Sequence, residues 1–346
     1  MPCFNIARID VLYGVFYYLA AYMIRRYLLS ILLLSLVAGG CKKDLLHLQR
    51  IQQLNSGTTN TLYRIHFTDA NTCFISGGDT WTQTTVIQSG DGGFTFHSST
   101  CPDATVAMQA FSLSSFGTMY MCGVKNKVIS SKDTGKTWEQ HDIPDYADFY
   151  EGFNYTGISY QSPDTGIAVS THLQQAGIIT TVDSNLNIIS QTTLKMGLND
   201  VYSSRSGTYV IGYGGVLKST DALNWNFLNV KGDNFMAMDI HGDEIWMCGY
   251  IGCVYHSIDG GNNWERLRNG NDITIPHYNL MSIVFKDELN GWASCDDGRV
   301  IHTDDGGHHW EEYDRFTTNS LRSIVLCPNG DLLASGDNGA LYRITP

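Results

Sequence analysis

The chain has 346 residues and a formal net charge of −12, from 22 Lys and Arg against 34 Asp and Glu. A surface this acidic repels phosphate backbones and excludes nucleic acid as a partner. Its 35 glycines and 19 tyrosines with only 7 prolines describe a globular all-β chain, too long for one ordinary core, so several domains or a repeat architecture is required.

In chain order, residues 1–40 form a targeting segment and stand outside the fold. Arg25 and Arg26 precede an apolar run over 27–37, followed by Ala38, Gly39, Gly40 and Cys41. Such a run is too short to span a bilayer and reads as a secretory signal. Ending on a cysteine, it resembles the signal peptides of bacterial lipoproteins. That resemblance implies lipidation of Cys41, a tether over 41–44, and a place in the cell envelope at the outer membrane, its side left open. An ordinary signal peptide cut nearby is the alternative. A second apolar stretch, 11–21, precedes Met23, and residues 1–22 read as an over-extended gene start or as half of a two-helix anchor.

Residues 45–346 carry a repeat. Its phrase places an aspartate in SGDGGFTF (Asp91), SKDTGKTW (Asp133), TVDSNLNI (Asp183), STDALNW (Asp221), SIDGGNNW (Asp259) and TDDGGHHW (Asp305), at spacings of 42, 50, 38, 38 and 46. Before each phrase run three short apolar strands separated by turn residues, as in FMAMDIH, IWMCG and CVYHS, and a fourth follows it. Four antiparallel strands in about 43 residues make one propeller blade. Strand starts near 61, 105, 154, 197, 234, 279 and 320 give seven. The expected fold is therefore all-β, a seven-bladed propeller of four-stranded blades. The last blade ends at LYRIT without an outer strand, and LLHLQRIQQL (45–54) has no blade of its own. That N-terminal segment is expected to close the ring, because an open propeller leaves two unpaired sheet edges.

The phrase falls on the hairpin between third and fourth strands. There the aspartate accepts backbone N–H groups across the turn, glycine supplies positive φ, and Trp138, Trp225, Trp264 and Trp310 pack between neighbouring sheets. This is the Asp-box, or BNR, repeat, and six copies are construction rather than six active sites. The units GYIGCVYHSIDGGNNW (249–264) and NGWASCDDGRVIHTDDGGHHW (290–310) resemble those of the photosystem II assembly and stability factor propellers. The resemblance implies an extracytoplasmic scaffold that holds another macromolecule. It specifies fold far better than function.

Enzymatic readings are weaker. LYRIHF (62–67) resembles the sialidase motif whose arginine grips a carboxylate, with His66 in place of proline. Arg64, however, has apparent counterparts in Arg322 and Arg343, and no strand glutamate accompanies a suitable tyrosine. A two-carboxylate glycoside hydrolase would use Asp145 with Glu151, or Asp296 with Asp297, all of which read more readily as solvated turn residues. His302, His308 and His309 suggest a metal, but adjacent residues of a strand point to opposite faces, so neither metal nor cofactor is expected. Cys73, Cys101, Cys122, Cys248, Cys253, Cys295 and Cys327 are odd in number and lack ligand spacing, their disulfide state left open, and Cys122, Cys248 and Cys295, at one repeated strand position, read as small buried hydrophobes.

The candidate binding face bears the second-to-third strand turns, opposite the Asp-boxes. It offers Trp81, Tyr146, Phe149, Tyr150, His172, Tyr213, Tyr250, Asp296 and Asp297. The aromatic segment DYADFYEGFNY (145–155) suits stacking on sugars or anchoring a protein, and reads equally as rings of which half pack over the top of blades two and three. The expected function is thus a non-catalytic, lipid-anchored monomer that binds or helps assemble a protein or glycan partner, touching membrane only through its anchor. A glycoside hydrolase or polysaccharide-binding protein is the alternative.

Overall fold

The computed structural model describes residues 50–99, 106–143, 153–162 and 164–346. Cys41, the tether, the signal, Cys101, and residues 145–152 of the aromatic segment, with Asp145, Tyr146, Phe149, Tyr150 and Glu151, lie outside the described residues, whereas Phe153 and Tyr155 at its end are buried.

The strands form five four-stranded antiparallel sheets and one six-stranded sheet. The larger sheet is two blades. Its strand Gly207–Ser219 folds back on itself at Gly214 (φ 84°), so that a Cβ on Gly207 would lie 2.8 Å from the Ser219 carbonyl oxygen. Its strand Asn226–His241 passes from one blade to the next at Gly232 (φ 106°), pairing first with 213–218 and then with 244–249. Each of the seven blades then has four strands, counted outward from a central channel.

Blade seven draws its outermost strand from the other end of the chain. Arg50–Gln53 pairs antiparallel with Leu341–Thr345, Arg50 opposite Thr345 and Gln53 opposite Tyr342. The expected N-terminal closure is present. Arg343 seals the seam with blade one: it is paired with Asp331 at 2.7 Å, donates to the carbonyls of Gly92 and Gly93, and lies 3.6 Å above the Phe94 ring.

Alternation of apolar and polar residues holds only in part. Second strands such as Met119–Gly123 and Leu332–Gly336 are buried at every position, because adjacent blades cover both their faces. Several of them end on a glycine for a steric reason. A Cβ on Gly123, Gly249 or Gly336 would sit 1.9–2.1 Å from a carbonyl oxygen of the link entering the blade. Cys295 takes that glycine's place in blade six, paired with Leu280 as Gly249 is with Phe235, whereas Cys122 and Cys248 sit one residue earlier in the strand. The three cysteines therefore do not share one position. Among the described residues, six cysteines are free and buried.

Candidate functional site

The Asp-boxes are built alike. Asp133 Oδ1 accepts from the Ser131 hydroxyl and the Thr137 amide, each at 2.9 Å, and Oδ2 accepts from the Thr137 hydroxyl at 2.6 Å. The Ser131 oxygen in turn accepts the Gly135 amide. Asp91, Asp221, Asp259 and Asp305 repeat the arrangement with Thr95, Asn224, Asn263 and His309 as their distal partners. Asp183 lacks the serine: at that position the Thr181 hydroxyl donates to the Ala222 carbonyl instead. Trp264 and Trp310 donate to the glycine carbonyl of their own hairpin, Trp138 donates to Ser99 of the preceding blade, and Trp225 packs on the core between blades three and four. His309 is bound to Asp305, and His302 stacks near Trp292 and Tyr313, so these histidines serve separate structures.

On the opposite face, candidate residues meet across neighbouring blades. Trp81 of blade one is 56% exposed, with the Lys125 ammonium of blade two 5.9 Å from its ring. Tyr213 of blade four and Tyr250 of blade five make an edge contact at 6.2 Å. Burial, then the Tyr250 hydroxyl, raises the Tyr213 phenol above its ordinary range. His172 lies 5.3 Å from Phe153. Asp296 accepts the backbone and side-chain N–H of Asn279, at 3.0 and 2.6 Å, and Asp297 is paired with Arg299 at 2.6 Å. Both carboxylates thus hold turns together.

The turns on this face also carry backbone strain. Lys125, Ile251 and Asn338 occupy equivalent positions with φ of 56–57°. For a β-branched residue such as Ile251 that region is a genuine outlier.

A second feature, the channel, was hidden from sequence reading. The innermost strands of all seven blades line a cavity of about 500 Å³. Each carries a bulge near its start, and the position just beyond the bulge is Ala110, Gly157, Ala237, Ser282 or Ser323 in five blades. In blades one and four it is Arg64 and Asp200, which form an ion pair across the channel. Arg322 is not their counterpart. It falls on the bulge itself, where blade one has Tyr63, and forks onto Asp337 with bonds of 2.9 and 3.0 Å.

Inner strands leave their channel-side amides without a ladder partner. Side chains of the preceding blade accept several of them: Ser323 from Ile65, Ser112 from Tyr160, Ser159 from Ser203, and Asp239 from Phe285. Burial, together with the nearby Arg64 charge, pushes His66 down to about 4. Burial and the Asp200 charge push the Tyr202 phenol up.

Residues 189–342 match the family model described as photosynthesis system II assembly factor YCF48. The chain resembles the YCF48 family. Among solved structures, a YCF48 bound to a D1 peptide is 16% identical, with 86% of this chain and 96% of that one covered and a TM-score of 0.63. YCF48 from Cyanidioschyzon merolae is likewise 16% identical, over 86% and 98%, at 0.64. Virginiamycin B lyase from Staphylococcus aureus is 12% identical, over 86% and 99%, at 0.67. No curated protein sequence matches the chain. At such identities the structural likeness establishes a shared fold, which in this group serves a lyase as well as YCF48.

Proposed function

We propose that this YCF48-like propeller is a non-catalytic extracytoplasmic module, lipid-anchored through Cys41, that binds a protein partner on the face opposite its Asp-boxes. The observation that carries the reading is the strained turn at Ile251. The chain holds a β-branched residue in the left-handed region and presents it 41% exposed beside Tyr250 and Tyr213. Strain of this kind persists where the surroundings impose it, and it concentrates at binding and switch sites. A binding role is further supported by the relative solved with a peptide, and by Asp296 and Asp297 being occupied in turn bonds, which removes them as a ready acid–base pair.

Photo-crosslinking from Tyr250 and Trp81, with Leu289 on the Asp-box face as control, tests the proposal in intact envelopes. Protein adducts from Tyr250 and Trp81 are expected. Adducts confined to Leu289, or polysaccharide retained by this face in place of protein, would overturn it. Cys41→Ser should abolish detergent-dependent extraction. Retention as firm as that of the unaltered protein would refute the anchor.

A further inference from the structure

The Arg64–Asp200 pair spans the channel between blades one and four. The cavity extends from that level along the innermost strands toward their 1–2 turns, and so lies on the Asp-box side, away from the proposed partner face. A guanidinium carries five N–H groups. Arg64 donates to Asp200 and completes no other hydrogen bond of ordinary geometry with the described residues, while its side chain remains 28% exposed to the cavity. The buried Tyr202 hydroxyl lies beside both charges, within longer reach of Asp200 and Arg64, but makes no hydrogen bond of ordinary geometry with either. Asp200 already takes the Arg64 and Val201 N–H groups, and two residues further along the inner strand of blade five Asp239 Oδ2 takes the Phe285 amide with His241 3.2 Å away. Surplus donors in a partly desolvated cavity call for an acceptor-rich ligand.

We propose that this cavity binds a small organic monocarboxylate, its oxygens accepting from Arg64 and Tyr202. The planar fork of arginine matches a carboxylate. Asp200 next to it disfavours a second negative charge, which selects a monoanion over phosphate. The stacked rings of His66 and Phe111, 4.5 Å apart, with Val284 and Val325, supply apolar wall for the organic body. The cavity's size is in the range of small-molecule sites, about 300–1,000 Å³.

The test is a ligand-observed NMR titration of the folded protein with benzoate, its uncharged isostere benzamide, and inorganic phosphate. Saturable benzoate binding, at least about tenfold tighter than either of the others, is expected. Arg64→Met would strand the Asp200 charge and could unfold the protein, so Tyr202→Phe is the deciding variant. It removes one unsatisfied hydroxyl, so the Tm should hold or rise while benzoate binding weakens about tenfold. Equal binding of benzoate and benzamide, phosphate binding as tight as benzoate, no benzoate binding up to about 10 mM, or an indifferent Tyr202→Phe would each overturn the proposal.

Discussion

Ile51 sits opposite Ile344, so that the first and last strands of the described chain form one antiparallel ladder. Every residue of Arg50–Gln53 is exposed, and only the adjoining Leu54 is buried, its amide donating to the Leu341 carbonyl. The strand therefore stabilises mainly by covering the edge of Leu341–Thr345. Deleting residues 50–54 should lower the Tm by at least about 5 °C and raise light scattering as the bared edge recruits other chains. Leu54→Ala, which keeps the ladder, should cost about 2 kcal/mol without aggregation. Calorimetry with light scattering checks both, and a deletion variant that stays monomeric at an unchanged Tm would reject the closure.

Asp133 illustrates the Asp-boxes. Hydrogen bonds from the Thr137 side chain and amide hold its carboxyl down at about 2. Its folded pKa lies below the unfolded value near 3.8, so its contribution is complete above that value and fades as pH falls toward 2. Asp133→Ala should lower the Tm by about 3–6 °C at neutral pH and shrink the acid slope in that window. Asp133→Asn keeps acceptor Oδ1 and should recover part of the loss. Partner crosslinking from Tyr250 should persist in the folded fraction. Were it abolished at an unchanged Tm, the box would be part of the binding site.

What was legible in the sequence was local. Ser131, Asp133, Gly135 and Thr137 act within one hairpin, so their pattern survives in the linear text and recurs often enough to count blades. The Arg64–Asp200 pair was not legible, because its members lie three blades apart and share a level only through the fold. The bulge at the start of each inner strand compounds this. Because the bulge recurs at the same place in every inner strand, Arg322 shares the position of Tyr63 and not that of Arg64, and Cys295 shares the position of Gly249 and not that of Cys248, offsets of one residue that residue type alone does not reveal. Sequence spacing locates strands, while the bulge decides which residue of each faces the channel.

His66 offers a pH test of the channel. Burial, with Arg64 close by, places its folded pKa at about 4 against an ordinary 6.5. Between those values the unfolded chain binds more protons than the folded one, so stability must fall as pH drops from 6.5 toward 4 and level off below. The change is on the order of 2 kcal/mol for this partly accessible ring. His302, also lowered by burial, adds to the same slope. His241 acts in the opposite sense: its hydrogen bond to Asp239 raises its pKa, so its contribution is present below 6.5 and is lost as pH rises above that. His66→Phe preserves the stack on Phe111 and removes the titrating group. Urea unfolding at pH 7, 5.5 and 4.5 should show the slope reduced in this variant and its pH 7 stability nearly unchanged. If the full slope survived, His66 would not be the neutral, desolvated neighbour of Arg64 that the channel geometry requires.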